Sequence, residues 1–243
     1  FYGGDLAGIR SRLAYIADLG VGGIYLNPIL WSDSNHRYDT IDYHSVEPDI
    51  GTEEELKTLI AEAHALGLRV MIDAVFNHCG AKCALWQDVL EKGPQSDYYH
   101  WFCVNRWPID AQTHATKRGD YFSFAFVDNM PKFDTSEPDV MEYLTGIAKH
   151  WVCDWKVDGI RFDVGNEISH AFLKHLRLEL KKCNPKLFLL GEIWHDAFPW
   201  LLGDEYDSTM NYPFLACVNN FWADKTQSGT DFMHGINQCY SMY

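Results

Sequence analysis

Residues 157–164 (VDGIRFDV) and 186–193 (KLFLLGEI) are two short apolar runs, and each is interrupted by charged residues near its end. Nearly continuous apolar runs of this length are typical of strands that are covered on both faces, as in parallel sheets. Two further runs have the same character, at 21–29 and 68–76, and a weaker one lies at 206–212. The sequence therefore predicts five buried strands.

Helical patterns separate these strands. Apolar residues recur at spacings of three and four in the four predicted helices, which are 5–19, a helix whose N-cap is Thr52, 138–155 and 167–182. Alternation of strands and helices indicates parallel strands joined by right-handed crossovers. We predict an α/β fold, and the length of 243 residues suits one large domain.

One segment breaks this alternation. Residues 79–136 are rich in aromatic residues, Gly, Pro and Asp, and contain no apolar run of the kind described above. Long loops of this kind are usually functional. We predict a barrel-like domain formed by 1–78 and 137–243, with 79–136 inserted as a small subdomain.

Composition excludes several classes of function. The net charge of −14 argues against nucleic acid as a partner, because its binding depends on Lys and Arg. No run of eighteen apolar residues occurs, so we expect no membrane span. The seven cysteines are an odd number in a long chain, which argues against a disulfide framework and favours a reducing, cytoplasmic location. The chain begins at Phe1 rather than Met, so the lack of a signal peptide indicates nothing.

Charged and polar residues cluster where the predicted strands end. In a parallel barrel these ends meet at one rim, where catalytic groups project. A single carboxylate there is more often a helix cap or an ion-pair partner, but several on neighbouring strands favour a site. The strand-end residues are Asp73, Asn77, His78, Arg161, Asp163 and Glu192.

Asp163 and Glu192 have the spacing that glycoside hydrolysis requires. They are 29 residues apart, one strand–helix–strand step, which places them on neighbouring strands about 5 Å apart. Retaining glycosidases hold a nucleophile and an acid at roughly 5–5.5 Å. Arg161 faces the same side and would keep Asp163 ionised. Apolar neighbours would raise the pKa of Glu192, as a general acid needs.

Three segments carry a family resemblance. Asp73-Ala-Val-Phe-Asn-His78, Gly159-Ile-Arg-Phe-Asp163 and Gly191-Glu192 resemble signature regions of the α-amylase family, glycoside hydrolase family 13. Further segments are similar to its neopullulanase, cyclomaltodextrinase and maltogenic amylase branch: Ser34-Asn-His-Arg-Tyr-Asp-Thr40, Met130-Pro-Lys-Phe-Asp-Thr135, Asp163-Val-Gly-Asn-Glu167 and Glu192-Ile-Trp-His-Asp196. The resemblance covers essentially the whole chain and implies strands 2 to 6 of a (β/α)8 barrel, with a domain B at 79–136 after strand 3.

The resemblance also assigns roles. It implies that Asp163 is the nucleophile and Glu192 the acid/base in a retaining reaction on α-glucosidic bonds, with no certain cofactor. The resemblance further implies that Arg161 and His78 line subsite −1 and that Tyr38 stacks under the sugar bound there. Asp73 would support Arg161, and Asn77 would brace the region or form part of a calcium site. The acceptor side would be formed by Trp194, Asn166 and Glu167. Two departures from the branch are Gly165, usually Ala, and Phe133-Asp134, usually Leu-Asn.

Part of the family pattern is not found in the chain. Its third catalytic Asp, barrel strands 1, 7 and 8, and the flanking β-domains have no counterpart, so we expect a fragment that is inactive alone. The branch commonly dimerises through its N-terminal domain, which leaves both a monomeric and a homodimeric parent open. Two alternatives stay open: a sugar-binding but incomplete fragment, and a non-catalytic relative such as the amino-acid transporter heavy subunits.

Overall fold

Seven strands are found in the computed structural model, which describes residues 3–110 and 115–241. The strands are β1 (Gly23–Leu26), β2 (Leu30–Ser32), β3 (Thr40–Val46), β4 (Arg69–Ala74), β5 (Gly159–Phe162), β6 (Phe188–Gly191) and β7 (Ser208–Thr209). Five of them form one sheet in the order β1-β4-β5-β6-β7, and every neighbouring pair is parallel. The five predicted strands are thus confirmed in chain order, each shorter than its apolar run.

Eight α-helices accompany the strands in the same described residues. They are α1 (Leu6–Arg10), α2 (Leu13–Asp18), α3 (Glu53–Ala65), α4 (Ala84–Lys92), α5 (Pro138–His150), α6 (His170–Cys183), α7 (Tyr212–Val218) and α8 (Gly229–Ser241). The predicted N-cap of α3 is confirmed, because Thr52 and Glu55 form a reciprocal capping box. The weak fifth strand is followed by helix, as the alternation predicts.

Three helix predictions differ from the structure in their boundaries. The helix predicted at 5–19 is two helices, since Arg12 has a non-helical ψ of 1° and the Ser11 hydroxyl bonds the Gly8 carbonyl at 2.7 Å. The helix predicted at 138–155 is α-helical only to His150, after which Trp151–Trp155 form a π-helical turn. The helix predicted at 167–182 begins three residues later, because Ile168 is extended.

The predicted insertion is mostly irregular. Within its described part, α4 is accompanied by short 3₁₀ turns and by isolated bridges, two of which pair His78 with Lys132 and Phe102 with Phe133. These bridges fix the last residues of the insertion beside the end of β4. Residues 111–114 lie outside the described residues, as do 1–2 and 242–243. The domain boundaries at 79 and 136 stay a prediction.

An antiparallel pair that was not predicted precedes α3. Strands β2 and β3 pair with two register shifts, and β3 carries Tyr43, whose hydroxyl bonds the carbonyls of Val75 and His78 at 2.8 Å each. The segment between them, 33–39, holds Tyr38 close to the end of β4. This small ladder is what brings a distant loop to the strand ends.

The core explains much of the aromatic content. Trp86, Trp151 and Trp155 are among the largest fully buried side chains, so these rings fill the interior rather than bind ligand. In the part of the chain that is described, none of the helices combines the length and apolar character needed to cross a membrane.

Candidate active site

The registers of three neighbouring strands bring the predicted site residues to one level. Asp73 of β4 lies opposite Arg161 of β5, and Phe162 lies opposite Gly191 of β6. Asp163 and Glu192 each follow one residue later, so they leave the ends of adjacent strands side by side. The sequence prediction that one strand–helix–strand step joins them is confirmed.

One guanidinium binds three carboxylates at this level. Arg161 Nη1 lies 2.8 Å from Asp73 Oδ2 and 3.0 Å from Asp163 Oδ1, while Nη2 lies 2.7 Å from Glu192 Oε1. All four residues are buried, with at most 7% of any of them exposed. Buried charges need partners of this kind, because desolvation of an unpaired charge is costly. Arg161 therefore fixes the positions of both candidate catalytic carboxyl groups.

The electrostatics of the pair differ from the sequence prediction. Burial, together with the carboxylate of Asp73, raises the pKa of Asp163 to about 7. Burial also acts to raise the pKa of Glu192, but the N–H of Val164 and the charge of Arg161 outweigh it, and the pKa is lowered. The prediction of an ionised Asp163 and a Glu192 with a raised pKa is therefore wrong.

The physical reason is the number of carboxylates around one cation. Arg161 neutralises a single negative charge, and Asp73 makes two contacts with it, at 2.8 and 2.9 Å. Asp163 and Glu192 then act as a coupled pair that holds one proton near neutral pH. Burial and the neighbouring carboxylates favour the protonated form of Asp163, which has fewer donors than Glu192.

The backbone between the two carboxyl groups is strained. Val164 has φ +49° and ψ +43°, a left-handed conformation that is a genuine outlier for a β-branched residue. Its N–H donates to Oε2 of Glu192 at 3.0 Å. Strain of this sort persists only where surrounding structure imposes it, and it clusters at functional sites.

Two tyrosines that the sequence reasoning missed bind the carboxylates. Tyr212 donates to Oε1 of Glu192 at 2.9 Å, and its ring stacks on Trp194 with centroids 5.2 Å apart. Tyr25 donates to Oδ2 of Asp73, which also accepts from Tyr38 at 3.1 Å. Strand periodicity could have found Tyr25, since it pairs with Met71, two residues before Asp73 and on the same face.

A cavity of about 580 Å³ opens over the carboxyl pair. Seven of the predicted site residues line it, namely Tyr38, Arg161, Asp163, Asn166, Glu167, Glu192 and Trp194. Four others line it that were not predicted: His36, Phe124, Met130 and Val164. Trp194 is 67% exposed, so its indole face is available to a ligand. The arrangement of carboxyl groups below flat rings suits a sugar bound at its anomeric carbon.

His78 and Asn77 do not reach this cavity. Both are fully buried, and His78 Nε2 lies 2.9 Å from the carbonyl oxygen of Tyr38, to which it must donate. Nδ1 is then free to accept from the Asn77 amide at 3.2 Å. Burial lowers the pKa of His78 to about 4, so the ring is neutral. The structure therefore gives His78 a supporting place behind Tyr38 rather than a place at the surface of the predicted subsite −1.

The residues around Asn77 do not fit a calcium ion. Calcium takes six to eight oxygen ligands, whereas the side-chain oxygen of Asn77 is in contact with the ammonium of Lys132. The same ammonium binds Glu167 Oε2 at 2.8 Å and the Glu167 carbonyl at 3.3 Å. A lysine cation thus already takes the oxygen atoms that a metal would need. The bracing role predicted for Asn77 agrees with these contacts, but the alternative calcium site does not.

Comparisons with known proteins identify the fold family. The model of the α-amylase catalytic domain matches residues 2–241. The chain is 45% identical to a maltogenic α-amylase of Bacillus acidopullulyticus over 243 residues, which are 100% of this chain and 41% of that protein. It is also 45% identical to neopullulanase 2 of Thermoactinomyces vulgaris over 224 residues, which are 92% of this chain and 37% of that protein. A cyclic α-maltosyl-(1→6)-maltose hydrolase from Arthrobacter globiformis superposes with a TM-score of 0.92 at 35% identity, over 100% of this chain and 54% of that one.

The extent of these matches places the chain within larger relatives. It spans about two fifths of the curated relatives named above and about half of the solved structure. Identity of this level over nearly the whole chain is far above what a shared fold alone requires. The chain belongs to the α-amylase family of glycoside hydrolases, in the branch that contains the maltogenic amylases and neopullulanases.

Proposed function

We propose that the protein to which this chain belongs is a retaining glycoside hydrolase. Its substrates are maltooligosaccharides, cyclodextrins, pullulan or starch, and it cleaves α-1,4 and also α-1,6 glucosidic bonds. One observation carries the proposal: a single guanidinium, that of Arg161, binds both Asp163 and Glu192, at 3.0 and 2.7 Å, beneath an open cavity. Two carboxyl groups held this way on adjacent strand ends suit double displacement.

In the first step Asp163 attacks the anomeric carbon. Its Oδ forms the covalent bond to the sugar while the glycosidic oxygen leaves and takes a proton from Glu192. In the second step the ionised Glu192 removes a proton from water, whose oxygen displaces Asp163 and restores both groups. Arg161 contacts both carboxyl groups, so it limits their movement between the two steps.

Substrate binding has to move the proton within the pair. Burial raises the pKa of Asp163 to about 7, whereas attack requires its ionised form. Positive charge developing at the anomeric carbon favours the carboxylate of Asp163, and negative charge on the leaving oxygen favours a proton on Glu192. The coupled pair therefore needs only an internal shift of one proton to become productive.

The cavity wall supports the remaining roles. Tyr38 lies beside Arg161, whose guanidinium carbon is 5.9 Å from the ring centroid, so its ring would form the floor under the sugar. Trp194, backed by Tyr212, offers an exposed flat surface, and Asn166 and Glu167 offer polar groups on the same side. These three residues would contact the acceptor part of a glucan.

Two rival functions are disfavoured by the same residues. A non-catalytic relative would have no reason to keep two carboxyl groups on one guanidinium. A piece that only binds sugar would have no need of the strained Val164, whose N–H is directed at Glu192. For location we propose the cytoplasm, on the sequence evidence of an odd number of cysteines; cell fractionation with an antibody to the chain would test this.

The experiment is an assay of the purified parent protein on cyclodextrin, pullulan and starch side by side, with Asp163→Ala as the control. Proton NMR during the first turnovers would identify the anomer that is released. We expect turnover well above the control and the α-anomer as first product. Turnover equal to the control, or the β-anomer first, would contradict the proposal.

A further inference from the structure

Six of the seven cysteines fall into three neighbouring pairs, Cys79–Cys83, Cys153–Cys183 and Cys217–Cys239. The neighbouring thiol raises the pKa of Cys153, and burial together with the neighbouring thiol raises the pKa of Cys79 and of Cys239. None of these side chains takes part in the site described above. Cys153 and Cys183 are 30 residues apart in the sequence, so their spacing alone does not predict that they are neighbours.

The pair Cys153–Cys183 differs from the others in its access to solvent. Cys183 is the last residue of α6 and is exposed, while Cys153 lies in the π-helical turn after α5 and is half-buried. By contrast Cys79 and Cys83 are 0% and 3% exposed. A small reagent can therefore reach the pair Cys153–Cys183 without any opening of the fold.

A cavity lies directly over this pair. Its volume is about 380 Å³, and it is lined by both thiols together with Lys156, His64 and Asp158. The Cys183 thiol and burial raise the pKa of Cys153, while the ammonium of Lys156 acts in the opposite direction and would attract an anionic reagent. His64 and Asp158 bind each other at 2.7 Å, so among the residues that line this cavity Lys156 supplies the unshared positive charge.

From this geometry we propose that Cys153 and Cys183 form a modification site that reacts with low-molecular-weight disulfides such as oxidised glutathione. The thiolate of Cys183 attacks one sulfur of the reagent, which releases one thiol and leaves a mixed disulfide. The thiolate of Cys153 then attacks the Cys183 sulfur, releases the second thiol and closes the Cys153–Cys183 bond. The two protein thiols are oxidised, and the reagent is reduced to two thiols.

The cross-link would join the ends of two elements that flank the catalytic strand. The closed loop, 153–183, contains all of β5 with Arg161 and Asp163, and all of α6. Closing a loop of this length restricts the unfolded chain and stabilises the folded one. We expect the oxidised protein to melt about 5 °C or more above the reduced protein.

The test is mass spectrometry of the purified chain after incubation with oxidised glutathione, followed by blocking of the remaining thiols and peptide mapping. We expect two fewer blocked thiols and one cross-linked peptide pair that contains Cys153 and Cys183. Cys153→Ser should instead retain one glutathione on Cys183, and Cys217→Ser should form the cross-link as the unchanged chain does.

Circular dichroism of each variant checks that it is folded, and the mapping of the unchanged chain does not depend on any variant. A cross-link only at Cys217–Cys239 or Cys79–Cys83 would overturn the proposal. So would a stable glutathione adduct on Cys183 of the unchanged chain, or recovery of all seven thiols in reduced form.

Discussion

Tyr212 donates its hydroxyl proton to Oε1 of Glu192 across 2.9 Å, while the other carboxylate oxygen accepts the N–H of Val164 at 3.0 Å. Both oxygens of the proposed acid are thus occupied by donors, and Arg161 adds a third contact at 2.7 Å. Donors of this kind stabilise the charged form of a carboxyl group. These donors favour the ionised form of Glu192, so the first step of the proposed reaction has to overcome that preference.

Replacing Tyr212 by Phe should shift the pH profile of the proposed hydrolase. The variant keeps the ring that stacks on Trp194 but loses a hydrogen bond to ionised Glu192, so the pKa of that carboxyl group rises. The alkaline limb of kcat/KM should move up by about half a unit to one unit. Tyr240→Phe, at a side chain that is 80% exposed, is the control. An alkaline limb that stays in place would rule out this positioning role.

Substitutions of the two carboxyl groups should separate their roles in the parent enzyme. Asp163→Asn should abolish turnover on every substrate, because no covalent intermediate can form. Glu192→Gln should abolish cleavage of natural glucans but spare formation of the intermediate from activated aryl glycosides, whose leaving groups need no proton. Burst kinetics with such a glycoside measures this step. Equal loss on both substrate types would make the acid assignment wrong.

The sequence predicted the strand order and the meeting of Asp163 with Glu192, because both follow from local patterns and from the geometry of parallel strands. It did not predict the contacts of Tyr25, Tyr212 or Lys132, which depend on how distant segments pack. Nor did it predict which carboxyl group has the higher pKa, because that depends on the number of carboxylates around Arg161. The departure at Gly165, where the branch usually has Ala, has a physical reason that the sequence did not indicate: a Cβ added there would lie 2.8 Å from the hydroxyl of Tyr206.

Removal of metal should leave the stability of the chain unchanged. The ammonium of Lys132, rather than a calcium ion, binds the side-chain oxygens of Asn77 and Glu167. A chelator should therefore remove no metal ion from this position. Lys132→Met should lower the free energy of unfolding by about 1–3 kcal/mol, since the buried Asn77 oxygen loses its donor. Urea unfolding with and without EDTA measures both effects; Lys82→Met, which removes an exposed ion pair with Asp33, is the control. A clear fall in stability on EDTA treatment would restore the calcium hypothesis.

A methyl group at Gly191 should be poorly tolerated. Its Cβ would lie 2.4 Å from Cδ2 of Tyr206, a buried ring that is held by its hydrogen bond to the Gly165 carbonyl. Gly191→Ala should destabilise the chain by about 1–3 kcal/mol and displace the adjacent Glu192. Gly146→Ala, inside α5 with open space around it, should instead stabilise by up to about 1 kcal/mol. Thermal melts of the two variants should therefore shift in opposite directions.

Asp163 should lower the stability of the chain above neutral pH. Burial and Asp73 raise its folded pKa to about 7, well above the ordinary value of about 3.9 for an aspartate side chain. Because the pKa of Asp163 is higher in the folded than in the unfolded chain, its favourable contribution to the free energy of unfolding is fully present below the unfolded pKa. That contribution is lost as the pH rises through the folded pKa. Between about pH 4 and 7 the unfolded chain releases a proton that the folded chain keeps, so stability falls across that window and stays low above it.

Asp163→Asn should remove this dependence, because the amide has no charge to bury. The variant should be about as stable as the unchanged chain near pH 4, and more stable near pH 8 by on the order of 2–4 kcal/mol. Urea unfolding at both values measures the difference, with the exposed Asp224→Asn as the control. The same substitution removes the proposed nucleophile, so the gain in stability would come with a loss of turnover. This trade-off is expected where burial of a carboxyl group lowers stability but serves catalysis. A variant no more stable than the unchanged chain near pH 8 would mean that Arg161 fully compensates the charge of Asp163.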